Sequence, residues 1–442
     1  MKLKNGIKLA VVAACCAPAF AFATNGYFSH GYGMKAKGMG GAATAMAVDT
    51  FGGANNPASM VWVGNRIDFG ADLFSPRRSV SRQGETGFGG LYNGTADSDS
   101  NYFLIPEFGY NKMMNASLSL GVTVYGNGGM NTDFNSTLAG PSFFPGCAGA
   151  PANMLGGCGR LGVDMMQLIV APTASYKLNN QHSIGISPLL GYQRFKADGL
   201  QAFSAVTASG TINNLTNQGY DSSTGWGVRV GWMGKLTDTV SLGAAYSTKM
   251  KMSKFDKYKE LFAEQGGFDI PENYNLGIAV QASPKTLVAF DIQRINYSKI
   301  TSIANGVLNS LSAPPACPLG SNCGSGFRWQ DQTVFKVGVE YQYSNNMTLR
   351  GGFNYGKSPI GTTADDITFN IIAPGVVEKH LTLGLTYKTT SGGELTLAYM
   401  HAFSNTVTGP SALTTFTGGA NFGTESLKMY QDAFGIAYGW KM

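Results

Sequence analysis

The feature that most limits what this chain can fold into is a two-residue hydrophobic period that recurs from residue 65 to the end. Leu118, Leu120, Val122 and Val124 alternate with Ser117, Ser119, Gly121 and Thr123, and Leu381, Leu383, Leu385 and Tyr387 alternate with His380, Thr382, Gly384 and Thr386. Such spacing places one set on one face of a strand and the other set on the opposite face. No run of about eighteen apolar residues follows residue 23, which excludes helical membrane spans. Reading the period along the chain gives about fourteen strands: 65–75, 101–112, 116–126, 163–178, 182–197, 223–236, 239–252, 272–283, 285–297, 329–343, 347–357, 378–389, 394–403 and 426–440.

An even count suits a closed antiparallel barrel whose two ends lie on one side. Six connections are very short, around Met113, Asn179, Asp238, Pro284, Asn345 and Ser391. They alternate with seven longer ones, 76–100, 127–162, 198–222, 253–271, 298–328, 358–377 and 404–425. Short turns at one end and long loops at the other are the asymmetry of an outer-membrane barrel; a soluble multi-domain all-β chain has no reason to segregate loop lengths. The composition agrees, with 60 Gly, 26 Phe, 20 Tyr and only 13% charged residues in 442, because only alternate residues of such a barrel face lipid. The expected fold is an all-β, roughly 14-stranded antiparallel transmembrane β-barrel over residues 65–442.

Residues 1–23 read as an export leader, with Lys2, Lys4 and Lys8, an apolar centre from Leu9 to Cys16, and a small-x-small cleavage site at Ala21-Phe22-Ala23. A rival lipoprotein pattern ends at Cys15. Residues 24–64 are not strand-like. They are rich in glycine and alanine, carry an apolar patch around Ala42 to Val48, and end near Asn56, Pro57 and Ala58, where Asn-Pro favours a turn before the first strand. Small and apolar residues suit a compact plug inside the barrel, with Thr24, Asn25, Gly26, Tyr27 and Phe28 at its free end; a flexible linker is the alternative.

Four cysteines remain after the leader, and nearest-neighbour pairing, Cys147 with Cys158 and Cys317 with Cys323, closes two local loops on the outer side. Their spacing is not that of a zinc site, and the four histidines are far apart in sequence, so neither metal nor cofactor is expected. The net charge of +6 falls to +3 without the leader lysines, too weak and scattered for a nucleic-acid partner. A barrel that closes on itself needs no second copy, so a monomer is expected, with membrane lipid and lipopolysaccharide around it.

Three stretches in order carry a resemblance. Asn56-Pro57-Ala58 ends the plug. Ile270-Pro271-Glu272-Asn273-Tyr274-Asn275-Leu276-Gly277 is followed by Asp291 and Tyr297-Ser298, and Leu349-Arg350-Gly351-Gly352-Phe353 by Ser358-Pro359-Ile360. On a matching strand count, the mature chain resembles the long-chain fatty-acid and hydrophobic-compound transporters of the outer membrane, the FadL-like family. The resemblance implies a hatch in the lumen, inward diffusion of fatty acids or other hydrophobic compounds, and exit sideways near a kinked third strand. Gly126, Gly128 and Gly129 read as a turn or as the site of such a kink. One departure is the end, where Lys441 and Met442 follow Trp440.

Physics points to hydrophobic cargo independently. Burying fifteen methylenes at about 0.8 kcal/mol each gives roughly 12 kcal/mol before costs, so release needs a pocket that can be disrupted. A hatch whose first residues reach that pocket supplies the means by population shift, with no energy source. For a first contact, Phe255, Tyr258, Leu261 and Phe262 have helical spacing and are flanked by Lys251, Lys254, Lys257 and Lys259, which suits an amphiphile with a carboxylate head; packing onto neighbouring loops is the alternative. Strand parity places Arg229, Asp291, Gln293, Lys336, Glu340, Arg350 and Asn354 in the lumen, opposite lipid-facing Val288, Phe290, Phe335, Val337, Leu349 and Phe353. These polar groups either anchor the plug or, at Arg350 or Lys336, bind a carboxylate. No nucleophile elbow or triad context is present, so no enzyme activity is assigned. A neutral-hydrocarbon carrier, a plugged porin and a surface receptor are the competing readings.

Overall fold

Alternation of burial along each strand builds the molecule. The computed structural model describes residues 25–311 and 316–442; the expected leader and Thr24 lie outside the described residues. The strands are Arg66–Gln83 (β1), Gly94–Asp97 (β2), Phe103–Met113 (β3), Leu118–Phe134 (β4), Leu161–Lys177 (β5), His182–Asp198 (β6), Asp221–Lys235 (β7) and Val240–Ser247 (β8). Then follow Lys251–Met252 (β9), Asn273–Ser283 (β10), Thr286–Ile295 (β11), Gln332–Ser344 (β12), Met347–Gly356 (β13), Lys379–Lys388 (β14), Gly393–Pro410 (β15) and Thr424–Lys441 (β16). Each of the fourteen long strands pairs antiparallel with its neighbours, and β16 pairs with β1 from Lys441 against Arg66 to Thr424 against Gln83, which closes the barrel. The short strands β2 and β9 are additions at the long-loop end, on β1 and β7.

Outward positions carry the apolar belt: Phe69, Leu73, Leu104, Ile186, Leu276, Phe290, Phe335, Val337, Leu383 and Ile436 are all exposed. Inward positions are small or polar, as at Gly277, Asp291, Lys336, Gly338, Thr382 and Gly384. Lipid solvates the first set, and the second must find partners inside.

Several strands run further than their apolar pattern. β1 continues to Gln83 rather than stopping at Ser75, β4 runs on from Gly126 to Phe134, and β15 and β16 extend to Pro410 and back to Thr424. Above the lipid belt a strand no longer needs an apolar outer face, so its pattern ends before its hydrogen bonding does. The single segment expected over 239–252 is broken into β8 and β9. Both expected disulfides are formed, Cys147–Cys158 in the connection after β4 and Cys317–Cys323 in that after β11.

Candidate functional site

Residues 25–64 fold into short turns, chiefly the helical turn Met34–Lys37, two 3-10 turns at Thr50–Gly53 and Pro57–Ser59, and Met60–Val63. Nearly all of them are buried. A segment without strands has many free backbone groups, and the barrel's inward side chains satisfy them. Asp291 Oδ2 accepts from Ala43 N (2.9 Å), Thr44 N (2.9 Å) and Thr44 Oγ1 (2.7 Å). Lys336 Nζ donates to His30 O (3.1 Å), and Arg229 donates to Gly53 O (3.3 Å) and Ala54 O while holding Ser247 Oγ (2.5 Å). Gly40 N donates to Thr382 Oγ1 (2.8 Å). The segment thus touches inward side chains of β7, β11, β12 and β14. Close approach demands glycine at Gly41, where φ is 85° and a Cβ would collide with the His30 carbonyl.

The far end of the segment is docked by the Asn56-Pro57-Ala58 stretch. Asn56 Nδ2 donates to Thr44 O (2.8 Å) and Trp232 O (2.9 Å), and Asn56 Oδ1 caps Ala58 N (3.1 Å). Ser175 and Ser183 both donate to Ala58 O, at 3.1 and 2.7 Å. Proline at the first position of the 3-10 turn loses no needed donor, because that N–H would have no partner inside the turn.

A set of ion pairs that parity over β11–β13 did not bring out ties the segment to β1, β3 and β15. Lys35 meets Glu394 (2.6 Å), which also holds Arg66 (2.8 Å), and Lys37 meets Asp72 (2.9 Å) and Glu107 (3.7 Å). Burial opposes the Lys37 charge, yet Asp72 and Glu107 hold its ammonium above the ordinary lysine value. Asp49, buried and near Asp68, is pushed up to about 6. Burial and the stacked His380 ring push His30 down. A sequence signal existed: Arg66, Asp68 and Asp72 share one parity, opposite Phe69 and Leu73. Of the expected lumenal groups, Glu340 and Arg350 are bound to each other (2.7 Å), with Arg350 also donating to Thr386 Oγ1 (2.6 Å), so neither holds the segment.

Residues 25–29 build an apolar cluster. Tyr27 lies against Phe28, Phe268, Tyr297 and Trp329, with ring centroids 5.3, 6.2, 5.4 and 5.9 Å away. Tyr297 Oη donates to Asn25 O (2.5 Å), and Trp329 Nε1 to Asn370 Oδ1 (2.6 Å). The same residues pair with the wall: Phe28 bridges Gly128, Gly129 N donates to Tyr27 O (3.2 Å), and Ser29 N to Asn127 O (3.2 Å). This is where β4 bulges between Gly126 and Gly128, and where its pairing to β3 has already stopped at Phe108 against Val124. Asn25 to Ser29 therefore join the aromatic cluster and cover an irregular stretch of wall at once.

These strands, this lumenal segment and this bulge are the setting of a sequence comparison that covers the chain. The profile described as outer membrane protein transport protein (OMPP1/FadL/TodX) matches residues 10–438. The chain belongs to the OMPP1/FadL/TodX family. It is an outer-membrane β-barrel of a transport family and not an enzyme. The fold is shared with the Pseudomonas putida toluene transporter TodX, at 18% identity and TM-score 0.67 over 93% of this chain and 99% of that one. It is shared with a Pseudomonas aeruginosa FadL homologue, at 16% identity and TM-score 0.69 over 94% and 99%. The Ralstonia pickettii toluene transporter TbuX has 18% identity and TM-score 0.63 over 93% and 99%. No curated protein matches the chain in sequence.

In this member of the OMPP1/FadL/TodX family the loop after β9 is not the helix its spacing suggested. It forms a 3-10 turn at Asp256–Tyr258 and a short turn at Ala263–Gly266, with Glu264 and Gln265 at φ 58° and 57°, and it closes on itself through Phe255 N to Gly266 O (2.9 Å). Phe255, Tyr258 and Phe262 turn inward around Phe195, with centroids 5.6, 4.8 and 4.7 Å away, so the apolar groups are buried rather than displayed. Lys254 and Lys257 stay outside, on Gln265 Oε1 (3.3 Å) and Tyr220 O (2.7 Å). Leu261 and Phe262 do line a small apolar pocket, with Phe195, Phe203, Phe327 and Phe369.

Proposed function

We propose that the chain carries hydrophobic compounds, long-chain fatty acids first among them, passively across the outer membrane. The observation that supports this is the double duty of Tyr27 and Phe28. They pack in one aromatic cluster with Phe268, Tyr297 and Trp329, and they belong to the segment that touches the barrel's inward side chains. A ligand entering among these rings competes with the contacts that hold the segment's free end, so binding favours a shifted arrangement in which the pocket is spoiled and the ligand released. The route begins at the loop pocket beside Leu261 and Phe262, and the β4 bulge under Phe28 is the place for a sideways exit. The leader would be cut before Thr24, the barrel would act as a monomer, and the outward lysines at 254 and 257 would meet lipopolysaccharide or an acidic head group.

A neutral cargo is the second reading. It is favoured by the apolar lining of the loop pocket and by the toluene transporters that share this fold. Uptake of a labelled long-chain fatty acid and of labelled toluene, by cells with this protein as their only such carrier, separates the two. Fatty-acid uptake above the empty-vector level supports the first reading, and toluene uptake alone moves the cargo to hydrocarbons. Uptake of neither, with passage of small sugars, overturns both in favour of a plugged porin.

A further inference from the structure

The outer wall carries a basic groove where β1, β2 and β16 meet, at the long-loop end of the barrel. Its lining includes Arg77, Ser79, Asp97, Asn101, Lys428 and Tyr430, around an open volume of about 390 Å³. Strand parity sets the direction of the side chains. Arg77 pairs with Tyr430 and Ser79 with Lys428, in the same outward series as Leu73 with Phe434, so the groove opens away from the lumen. Leu73, Leu104 and Phe434 are exposed and form the apolar belt directly below it. From Leu73 to Arg77 is four residues, roughly 13 Å of strand, so acyl chains can lie on the belt while a head group lies in the groove.

Arg77 is held in place before any ligand arrives. Its Nη2 donates to Tyr102 Oη (2.6 Å), and its guanidinium lies over the Tyr102 ring, 4.9 Å from the centroid. Lys428 is its diagonal neighbour on β16, at the spacing of about 7–8 Å usual for such positions. Among the described residues neither cation forms an ion pair, whereas Arg160 meets Asp133, Lys249 meets Asp269 and Arg294 meets Asp331 at the same end of the barrel. The acid in the lining is Asp97, opposite Ser79 on β2, against Arg77, Lys428 and the buried Arg78 beneath them. Two cations that converge on one open volume, between the exposed rings of Tyr102 and Tyr430 at the edge of the lipid belt, match a phosphate on a lipid head group.

We propose that this groove binds a phosphate of the outer leaflet's phosphorylated glycolipid, lipid A, between Arg77 and Lys428, with acyl chains on Leu73, Leu104 and Phe434. The site is independent of the cargo, because it faces away from the lumen and from residues 25–64. It also covers the stretch of β1 between Phe74, where pairing with β3 ends, and Ser79, where pairing with β2 begins. A lipid seated there braces the wall where its strand pairing changes hands.

The test is binding of lipid A carrying two phosphates, and of the same lipid with its phosphates removed, to the purified full chain in detergent. Wild type is compared with Arg77→Ser/Lys428→Ser, with Lys428→Ser alone, and with Lys379→Ser, a control at an exposed lysine of β14 outside the groove. The double substitution is expected to weaken binding of the phosphorylated lipid about tenfold and Lys428→Ser by less, with Lys379→Ser equal to wild type. The dephosphorylated lipid should bind all four proteins alike and weakly. The substituted side chains point outward, and an unchanged unfolding midpoint shows that the barrel is intact. Equal affinity of wild type and the double variant for the phosphorylated lipid overturns the assignment. A loss in Lys379→Ser as large as in the double variant also overturns it, since that is diffuse attraction to the whole rim. Displacement of the lipid from wild type by an equal concentration of inorganic phosphate would make this a site for the free anion and overturn the lipid assignment.

Discussion

Single residues show how a segment with little secondary structure is kept in place. Lys37 sits between Asp72 and Glu107 with 5% of its side chain exposed. Replacing it by methionine leaves two buried carboxylates facing each other, and the expected cost is about 3–5 kcal/mol, read as a lower unfolding midpoint of the purified barrel in detergent. Asp49 works in the opposite sense. Burial, with Asp68 nearby, raises its pKa to about 6 from an unfolded value near 4, so the folded state holds the proton more tightly. That contribution is complete below about pH 4 and fades as pH rises through 6. Asp49→Asn keeps an oxygen to cap Phe51 N and removes the titration, so its stability relative to wild type should rise between pH 4 and 7 by about 2–3 kcal/mol. A flat difference across that range would contradict the account.

At the scale of elements, the contact between residues 25–29 and the β4 bulge is the decisive joint. Gly128 has no room for a side chain, because a Cβ there would strike the Tyr27 carbonyl. Gly128→Val should therefore detach residues 25–29 from the wall, with a loss of about 1 kcal/mol for each backbone hydrogen bond broken. Limited proteolysis should then cut near residues 25–29 in a barrel that is otherwise folded, whereas an uncut N-terminus would show that the joint survives without glycine. Period-two alternation made the strands legible, since lipid enforces it on every outward position. It failed where lipid ends: Pro76, Arg77 and Arg78 read as loop, yet β1 continues through them to Arg82, which pairs with Glu425. Phe255, Tyr258 and Phe262 misled for another reason. Their spacing fits a helix, but it also fits turns wrapped around Phe195, and that partner is remote in sequence. The third-strand glycines were legible as a break in regularity, while the residues that cover it, Tyr27 and Phe28, required the fold.

The whole molecule is a closed wall whose inward side chains meet residues 25–64 of the same chain. Its outward face is set by lipid, its inward face by that segment's unsatisfied backbone, and its long-loop end by an aromatic interior stapled at Cys147–Cys158 and Cys317–Cys323. In the proposed arrangement two rings of the aromatic cluster, Tyr27 and Phe28, belong to the segment that would close the lumen, so removal of the segment should affect binding and permeability together. The most direct test compares uptake of a labelled long-chain fatty acid and passage of a small sugar in cells expressing the intact protein and a variant lacking residues 25–60. Fatty-acid uptake by the intact protein with no sugar passage, loss of fatty-acid uptake on deletion, and a gain of sugar passage through the emptied barrel are expected. Fatty-acid uptake that survives the deletion unchanged would contradict the proposed arrangement.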